Sequence, residues 1–516
     1  MKPRITIEKE NNGQDSDKEA LEKLKQGKAA LLWRKRITDI DTPVGVMLRA
    51  HQSGRGDFLL ESVEGGSNRG RYSFIGLAPD LVFKAVGDKA EINRNWLQNH
   101  DDFSPVEGDS LMAMRQLVAS CQMDIPSELP SSISSLVGYF SYETVGLVEK
   151  LPKPKFDPLN VPDMLFVRPT LFLVFDQVTD ALYMIAPVWP DGAGSPEEKV
   201  ATALEAIQNI TDILKEAIPS LPAVKVDQLP EIKRAMPPKA YEDIVVQAKE
   251  YIKAGDIFQI VPAQRFTVDF PLPPMALYRS LRRINPSPFL YFLDFPGFSL
   301  VGSSPEILVK LQDGEVTIRP LAGTRPRGRN SFEDQTLRES LLKDPKERAE
   351  HLMLLDLGRN DVGRVSQAGS VKVTDSFSIE YYSHVMHVVS NVVGKIRPDK
   401  DALDALFAGF PAGTVSGAPK VRACEIIAEL EPETRGPYSG GVGYFSPNGD
   451  MDSCIVLRTA ILKDGVLHIK AGAGIVADSD PASEQRECEA KAGALIAAAQ
   501  DAFTQNDILL KQSVKA

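Results

Sequence analysis

The sequence is poor in cysteine and has no cysteine pattern that would build a site. Its 516 residues include four, which are far apart and lack both CxxC spacing and the arrangement of a disulfide framework. None of the four lies in a glycine-flanked nucleophile turn; they are Cys121, Cys424, Cys454 and Cys488. We therefore expect a protein of a reducing compartment, the cytoplasm, that folds without disulfide bonds.

Long hydrophobic runs and an excess of positive charge are also missing. No apolar stretch reaches 18 residues, so we expect no membrane span. The first 23 residues are charged and lack the apolar segment of a signal peptide. Lys and Arg number 59 against 70 Asp and Glu, and the net charge of −11 argues against a nucleic-acid partner held by phosphate contacts. One basic pocket could still hold a small anionic substrate.

The order of patterns along the chain predicts two domains. Residues 1–27 are polar and are predicted to be a flexible N-terminus. Residues 28–218 alternate short apolar runs with turn residues, which is typical of strands and hairpins. The proline-rich stretch 219–238 is predicted to be a linker, and residues 239–516 to form a second domain.

Periodicity predicts a mixture of strands and helices in both halves. Strands are expected at 136–142, within 164–188, and at 257–266, 440–447, 454–463 and 466–471; helices are expected at 111–121, 199–217, 241–254, 275–283, 331–342, 346–357 and 483–503. Asn448-Gly449 and Asp464-Gly465 are hairpin dipeptides. SFIGLAPDLVFK (73–84) matches SLVGSSPEILVK (299–310) in shape, which predicts that both halves contain one strand–turn–strand unit.

Two carboxylate pairs share one spacing although they are far apart in the sequence. Glu347 and Glu350 lie in one predicted helix, and Glu484 and Glu487 lie in another. Residues three apart share a helix face, so each helix presents two carboxylates together. Such helices can hold Mg²⁺, which typically takes one or two carboxylates, keeps several waters and leaves positions for an anionic substrate. Each pair taken alone also fits an ordinary solvated helix surface.

Several loops have the backbone that anion binding requires. Gly472-Ala473-Gly474 ends a strand, and its glycines let backbone N–H groups approach a ligand closely. Gly323-Thr324-Arg325 offers a hydroxyl and a guanidinium. The run GTVSGAPK (413–420) precedes a helix but lacks the Gly-Lys-Ser/Thr of a P-loop, and no G-x-G-x-x-G follows a strand. With Arg458 and the glutamate pairs, these loops describe a magnesium site for a small polycarboxylate.

His387 lies in the apolar, strand-like run SHVMHVVSNVV. A histidine in such a place is commonly a hydrogen-bonded core residue. It is also where a general acid or base of near-neutral pKa would be placed. Its position in the sequence leaves both interpretations open.

The motifs of residues 240–500 resemble those of the chorismate-utilising enzymes, and most closely those of anthranilate synthase large subunits. The matching segments include GDIFQIVPAQRF, NPSPF, GSSPE, PLAGTRPRG, ERAEHLMLLDLGRNDVGRV, PAGTVSGAPKVRACEII and KAGAGIVADSDPASEQRECEAKA, with LLES and GRYSFIG in the first half. The resemblance implies an α+β fold in which two large antiparallel β-sheets pack together, surrounded by helices, with a smaller N-terminal α/β portion. It also implies that 28–218 is a regulatory and partner-binding domain and 239–516 the chorismate-binding catalytic domain.

The family's roles carry over to matching positions of this sequence. The resemblance implies that Glu350 and Glu487 bind Mg²⁺, with Glu347 and Glu484 as neighbours. It implies that His387 serves the elimination, that Glu306 assists loss of the ring hydroxyl, and that Gln259 and Thr324 belong to the catalytic set. The positions implied to bind chorismate are Gly323, Thr324, Tyr438, Arg458, Gly472, Ala473 and Gly474.

The reaction implied is conversion of chorismate and ammonia to anthranilate and pyruvate, the first step of tryptophan biosynthesis. Gln259 stands where water-adding relatives carry a lysine, and a neutral amide cannot act as that base, which disfavours the isochorismate branch. Ala322 stands where aminodeoxychorismate synthase typically has a lysine. Aminodeoxychorismate synthase and a non-catalytic chorismate or amino-acid sensor are the alternatives.

The resemblance further implies partners and regulation. Ammonia would come from a separate glutamine amidotransferase subunit in a hetero-oligomer, because no cysteine here suits a glutaminase. L-tryptophan would inhibit by binding between the two domains. The matching positions are Glu61, Ser62, Pro288, Phe289, Leu290 and Cys454.

Overall fold

The computed structural model describes residues 12–64, 68–130, 133, 135–152, 156–219, 222–226, 230–382 and 385–513. The α-helices are α1 (Ser16–Lys25), α2 (Pro43–Ala50), α3 (Ser110–Ser120), α4 (Pro196–Ile213), α5 (Pro238–Ala254), α6 (Pro274–Ile284), α7 (Ser331–Lys343), α8 (Pro345–Val365), α9 (Ala402–Gly409), α10 (Lys420–Leu430) and α11 (Pro481–Ser513). Two 3-10 helices cover Tyr142–Leu147 and Gly413–Val415.

The strands of the first half are β1 (Ala30–Ile37), β2 (Asp57–Glu61), β3 (Val63–Glu64), β4 (Asn68–Arg69), β5 (Tyr72–Val86), β6 (Lys89–Asn93), β7 (Ser104–Pro105), β8 (Leu136–Phe140), β9 (Met164–Asp176) and β10 (Ala181–Val188). Those of the second half are β11 (Lys233–Arg234), β12 (Gln259–Ile260), β13 (Ala263–Asp269), β14 (Phe289–Phe295), β15 (Phe298–Ser304), β16 (Ile307–Gln312), β17 (Glu315–Ile318), β18 (Leu321–Pro326), β19 (Lys372–Tyr381), β20 (Val385–Lys395), β21 (Gly417–Ala418), β22 (Gly441–Phe445), β23 (Met451–Ile455), β24 (Thr459–Lys463) and β25 (Val466–Gly472).

Two large antiparallel sheets pack together, as the resemblance implies. The first has the order β11–β13–β25–β24–β15–β14–β2–β5–β9–β10–β1. The second has the order β7–β6–β5–β9–β8–β22–β23–β16–β17–β20–β19, and β18 also pairs with β20. Large apolar side chains of both sheets, such as Phe58, Tyr291 and Tyr139, meet in one buried cluster.

The two sheets are continuous with each other because β5 and β9 are long enough to run through both. Residues 74–76 of β5 pair with β2 in the first sheet, and residues 82–86 pair with β6 in the second. The strand changes sheet at Ala78, which has a φ of +49°, next to a bulge at Pro79. The strands β15 and β16 likewise lie in different sheets on either side of Pro305. The two segments with matching sequence patterns therefore follow the same path.

The two predicted domains share these sheets. Strand β2 pairs with β14, and β8 pairs with β22, so strands of 28–218 hydrogen-bond directly to strands of 239–516. Within the predicted linker, β11 joins the first sheet, and Val224 is held on α11 by both its N–H and its C=O, which bond to Asn506. The domain boundaries stay a prediction from the sequence.

Three expectations about secondary structure need correction. The N-terminal 1–27 was predicted to be flexible; residues 1–11 lie outside the described part, but Ser16–Lys25 is a helix whose Ala20 and Leu24 are buried. The strand expected at 454–463 is broken into β23 and β24, because Arg458 has a φ of +48°. Helices α8 and α11 run to Val365 and Ser513, beyond their predicted ends.

Both predicted hairpins are present. Asn448-Gly449 joins β22 to β23, and Asp464-Gly465 joins β24 to β25. The φ angles of Asp464 and Gly465 are +51° and +74°, as a tight primed turn requires. Across the described residues, no helix is both long and apolar enough to cross a lipid bilayer.

Candidate active site

Helix α8 presents the first glutamate pair at its start. The Asp344 carboxylate caps the helix by accepting hydrogen bonds from the N–H groups of Lys346 and Glu347, at 3.0 and 3.3 Å. Glu350, one turn further on, accepts a hydrogen bond from Gln259 Nε2 at 3.1 Å. Burial raises the pKa of Glu350, and the neighbouring Glu347 raises it further, while the Gln259 bond lowers it.

Helix α11 brings the second pair to the same place. The charges of Lys346 and Lys491 lower the pKa of both Glu350 and Glu484, so the starts of α8 and α11 face one space. Burial is the larger effect on Glu484 and raises its pKa, and Glu487 adds to the rise. Glu487 forms an ion pair with Lys491 at 2.8 Å. The structure therefore brings the two sequence-distant pairs together.

The glutamates do not form a finished metal cage. In the described ranges, no group of three or more His, Cys, Asp or Glu side chains is arranged to hold a metal ion by itself. Glu347 is engaged by Arg325 at 3.0 Å. Mg²⁺, however, normally completes its shell with water and substrate oxygens. Glu350 is half-buried and, among the described residues, is bonded to the neutral amide of Gln259, so its carboxylate fits that use.

Strands β18 and β20 place Gly323, Thr324 and His387 side by side. Thr324 is the register partner of His387, and a bulge separates Ala322 from Thr324. Gly323 occupies the bulge with a φ of +69°, and its ideal Cβ position lies 3.0 Å from a Glu347 carboxylate oxygen, so a larger residue is disfavoured twice over. His387 Nδ1 lies 2.9 Å from the Gly323 carbonyl oxygen and 3.2 Å from Thr324 Oγ1.

These contacts fix the protonation of His387. A carbonyl oxygen can only accept, so Nδ1 carries the proton and Nε2 carries a lone pair. Nε2 is buried and has no hydrogen-bond partner among the described residues. Burial lowers the pKa of His387 to about 4, and the cations Arg458 and Lys491 contribute to this effect. The ring of Tyr382 contacts the His387 imidazole edge to face, with ring centroids 5.3 Å apart. His387 is thus a neutral imidazole with a free basic nitrogen.

Glu306 differs from His387 in that its environment favours the protonated form. It lies just after the Pro305 crossing between the sheets, is 6% exposed, and accepts a hydrogen bond from Thr414 Oγ1 at 3.0 Å. Burial raises the pKa of Glu306 to about 8, although Thr414, the Leu321 backbone and the charge of Arg458 pull it down. Glu306 therefore keeps its proton at neutral pH and can act as an acid.

Arg458 supplies a cation that has no counter-ion among the described side chains. Its backbone lies in the left-handed region, where β23 and β24 separate, and its carbonyl accepts a hydrogen bond from Ser303 N–H at 3.2 Å. Its guanidinium has no hydrogen-bond or ion-pair partner among the described side chains, yet it acts electrostatically on Glu306 and Tyr382. A half-buried guanidinium without such a partner is suited to bind a substrate carboxylate.

The Gly472–Gly474 turn lies against two other predicted site residues. The ideal Cβ position of Gly472 is 3.0 Å from Tyr438 Oη, and that of Gly474 is 2.8 Å from Gln259 Nε2. Lys491 donates to the Gly472 carbonyl oxygen at 3.0 Å, which ties the turn to α11. The glycines are needed because side chains at these positions would displace Tyr438 and Gln259.

The GTVSGAPK run (413–420) was considered as an anion-binding loop, but in the structure it supports Gln259 and Glu306. Its residues Gly417 and Ala418 form β21, which pairs with β12 and so fixes the backbone of Gln259. Thr414 bonds Glu306, as described above. Lys420 pairs with the buried Asp361 at 2.8 Å and is therefore not available to a ligand.

Besides the space around the active-site residues, the described residues enclose a second cavity, of about 560 Å³. All six residues expected to bind tryptophan line it: Glu61, Ser62, Pro288, Phe289, Leu290 and Cys454. The Glu61 carboxylate is already engaged, since Tyr278 Oη donates to it at 2.6 Å and Arg282 donates at 2.6 and 2.9 Å. Glu61 thus forms part of the wall and ties β2 to α6.

Sequence reasoning missed several residues of both sites. In the second cavity these are the aromatic rings of Tyr72, Phe74 and Tyr444 and the charged residues Lys310 and Asp452. Asp452 Oδ1 is buried and has no hydrogen-bond partner in the described part of the chain, and burial raises the pKa of this carboxyl to about 6. In the active site, Thr414 and Tyr382 were missed. Asp452 lies two residues before Cys454 in the strand MDSCI, which is the one signal that could have pointed to it.

The fold defines a class of enzyme together with three side chains of the site: the acid Glu306, the base His387 and the cation Arg458. Residues 58–497 match the model of the chorismate binding enzyme family, and the chain belongs to that family of chorismate-utilising enzymes. Anthranilate synthase component 1 of Cereibacter sphaeroides is 51% identical over 479 residues, which are 93% of this chain and 96% of that protein. The protein of the same name from Pseudomonas putida is 46% identical over 459 residues, 87% of this chain and 91% of its own.

Solved structures agree with this placement. The crystal structure of anthranilate synthase component I from Streptococcus pneumoniae superposes with a TM-score of 0.72 at 35% identity, covering 83% of this chain and 92% of its own. The menaquinone-specific isochorismate synthase of Escherichia coli gives a TM-score of 0.71 at 19% identity, covering 95% of this chain and 100% of its own. At that identity the likeness shows the fold alone.

Proposed function

We propose that this enzyme converts chorismate and ammonia to anthranilate and pyruvate, as the first step of tryptophan biosynthesis. The observation that carries the proposal is that Glu306 and His387 both feel the charge of Arg458 and have pKa values displaced in opposite directions. Two titratable groups driven apart in this way are typical of an acid and a base in one site. Relatives named anthranilate synthase component 1 support the choice of reaction.

In the first half-reaction ammonia attacks the ring carbon next to the carboxylate-bearing carbon. The ring double bonds shift and the hydroxyl leaves from the ring. Glu306, protonated at neutral pH, donates its proton to the leaving hydroxyl, which departs as water. The ammonium formed on the ring then loses one proton, which balances the proton that Glu306 gave. The product is an amino-cyclohexadiene that still carries the enolpyruvyl ether.

In the second half-reaction His387 Nε2 removes the hydrogen from the ring carbon that bears the new amine. Electrons flow into the ring, the ether C–O bond breaks, and the enolpyruvyl group leaves and takes up a proton as pyruvate. The ring becomes aromatic. A neutral imidazole with a free Nε2 is required, and the bond from Nδ1 to Gly323 maintains that tautomer.

Substrate anchoring falls to Arg458 and the glycine turn. Arg458 binds a carboxylate of chorismate, and the Gly472–Gly474 turn completes the anion site. Glu350 and Glu487 would hold Mg²⁺, with Glu347 and Glu484 as neighbours. When bound, the ion supplies a Lewis acid and a fixed position for the ring carboxylate. Occupation would require Glu487 to exchange its Lys491 partner for the cation.

Gln259 supports an amine product over a hydroxyl product. Its Nε2 donates to Glu350, and its Oε1 is buried without a partner among the described residues. A neutral amide oxygen can accept a hydrogen bond from ammonia but cannot deprotonate water. Ala322, 7% exposed, offers no amine where aminodeoxychorismate synthase typically has lysine, so we favour the ortho product over the para product.

Ammonia would come from a separate glutamine amidotransferase subunit. All four cysteines of this chain are buried, and burial raises the pKa of each thiol. A glutaminase needs an accessible thiolate as its nucleophile. The name component 1 of the relatives also supports a two-subunit enzyme.

Tryptophan would inhibit from the second cavity. Phe74 contacts Tyr444 edge to face at 6.2 Å and stacks with Tyr72 at the same distance, which provides an aromatic wall for the indole. Asp452 offers an unpaired carboxylate oxygen for the amino group. Because Glu61 is occupied by Arg282 and Tyr278, Asp452 is the better partner for the ligand's cation.

The cavity borders the active site, which supplies a physical route for inhibition. Pro305, Glu306 and Tyr382 line it, and Tyr382 in turn contacts His387. A ligand that favours one position of these residues changes the acid and the base at the same time. Such differential affinity for two states is what makes a ligand allosteric.

The test is direct. The purified chain is mixed with chorismate, an ammonium salt and Mg²⁺, and anthranilate is followed by its fluorescence. We expect product that depends on Mg²⁺ and falls when tryptophan is added, and glutamine should replace ammonium only when the amidotransferase subunit is present. Chorismate that is bound but unchanged would indicate a sensor, and a para-substituted product would indicate aminodeoxychorismate synthase.

A further inference from the structure

The hydroxyl of Tyr241 lies behind the active site at the meeting point of three of its elements. Tyr241 is on α5 and is fully buried. Its Oη donates to the Pro262 carbonyl oxygen at 3.0 Å. It accepts hydrogen bonds from Ala473 N–H at 3.3 Å and from the Cys488 thiol at 3.1 Å.

These three bonds use the full capacity of a phenol. A tyrosine hydroxyl has one hydrogen to donate and two lone pairs that accept. Burial raises the pKa of Tyr241 well above its usual value, so the hydroxyl keeps its hydrogen at every physiological pH. The arrangement is therefore saturated, and neither a water nor a substrate group is needed to complete it.

Each bond leads to a different part of the proposed site. Pro262 follows β12, which carries Gln259. Ala473 is the middle of the glycine turn, and Cys488 follows Glu487 directly on α11. One oxygen atom thus connects the segment after Gln259, the glycine turn and the helix that carries Glu487.

We infer that Tyr241 is a positioning residue for chorismate binding, through its hold on the Gly472–Gly474 turn and on α11. The inference rests on the proposed function, in which that turn binds the substrate and Glu487 binds Mg²⁺. It also changes the role expected for Ala473. Because the Ala473 N–H is taken by Tyr241, the neighbouring Gly474 N–H, which has no partner among the described residues, is the donor that remains for the substrate.

The competing explanation is that Tyr241 only fills the core. The two explanations differ in what Tyr241→Phe should change, since phenylalanine keeps the ring and removes the oxygen. A core role predicts a lower unfolding temperature and a smaller active fraction, with unchanged affinity for substrate. A positioning role predicts weaker binding, because the turn is used equally in the ground state and the transition state.

Tyr251 provides a matched control on the same helix. Its hydroxyl donates to Glu429 at 2.7 Å near the protein surface, away from the glycine turn. Tyr251→Phe removes the same atom from α5 without touching the site.

The experiment titrates chorismate into each enzyme by calorimetry with Mg²⁺ present, and measures kcat and KM for anthranilate formation. For Tyr241→Phe we expect the Kd and KM of chorismate to rise roughly tenfold, as loss of one well-placed hydrogen bond predicts, with kcat changed less than threefold. Tyr251→Phe should match the wild type. Unchanged Kd and KM in Tyr241→Phe would overturn the inference, as would a fall in kcat alone together with a lower Tm.

A second variant covers the case in which Tyr241→Phe does not fold. Cys488→Ala removes only the thiol donor on α11 and leaves the hydroxyl in place. We expect it to raise the Mg²⁺ concentration for half-maximal activity by about threefold or more, and an unchanged Mg²⁺ requirement would count against the inference. If the wild type binds chorismate but forms no anthranilate, the proposed function fails, while the calorimetric comparison still decides the role of Tyr241.

Discussion

Replacement of Glu306 by glutamine should abolish most of the activity and stabilise the fold. Glutamine keeps the shape and an oxygen that can still accept the Thr414 hydrogen bond, but it has no acidic proton to donate. Loss of a general acid typically costs 10²- to 10⁴-fold in rate. We expect kcat for Glu306→Gln to fall at least roughly a hundredfold for this reason.

The stabilisation follows from the pKa of Glu306, which rises from 4.5 in the unfolded chain to about 8 in the fold. Between these values the folded enzyme binds a proton that the unfolded chain has lost, so stability falls as the pH rises through this window. The loss is about 1 kcal/mol at pH 5 and about 3 kcal/mol at pH 7. The glutamine side chain does not titrate and loses no stability in this way. The unfolding free energy of Glu306→Gln should therefore exceed that of the wild type by an amount that grows from pH 5 to pH 7.

The assay is thermal unfolding at pH 5 and pH 7, with kcat measured in parallel. For a chain of this length 1 kcal/mol moves the midpoint by about 1 °C, so Glu306→Gln should unfold about 3 °C higher at pH 7 and about 1 °C higher at pH 5. Glu315→Gln, at the exposed start of β17, is the control and should change neither quantity. A Glu306→Gln enzyme with over a tenth of wild-type kcat, or with equal stability gains at both pH values, would refute the reasoning.

Four further outcomes are expected. Glu350→Gln or Glu487→Gln should raise the Mg²⁺ concentration for half-maximal rate by roughly tenfold or more, since each removes a negative oxygen ligand; normal activity of both at limiting Mg²⁺ would contradict the metal assignment. His387→Ala should accumulate the amino-cyclohexadiene, visible by chromatography, whereas unreacted chorismate alone would mean that His387 acts earlier or structurally. Since burial lowers the pKa of His387 to about 4, wild-type kcat/KM for chorismate, measured at a fixed concentration of free ammonia, should not lose the His387 base between pH 7 and about 5 and should decline through it only below that. Ser62→Arg should raise the tryptophan concentration for half-inhibition at least roughly tenfold relative to its own uninhibited rate, because a long cation occupies the cavity; equal sensitivity would exclude this site.

Much of this enzyme could be predicted because the relevant signals are local. The spacing of Glu347 and Glu350 and of Glu484 and Glu487 places each pair on one helix face, and α8 and α11 do carry them there. The Asp464-Gly465 turn follows from backbone preferences of two residues. The matching patterns of 73–84 and 299–310 predicted a shared unit, and both segments run from one sheet to the other.

What the sequence by itself determined was therefore the elements, the family and the residue types of the site. Only the tertiary structure decided which side chains remain unpaired and which are used. The resemblance implies that Glu61 binds a ligand, but Arg282 and Tyr278 already bond its carboxylate, whereas Asp452 Oδ1 has no partner among the residues that the structure describes. The lone pair of His387 and the proton of Glu306 likewise depend on burial and on single contacts with residues 63 to 108 positions away. Such pairings arise from strand register across two sheets, which no local periodicity encodes.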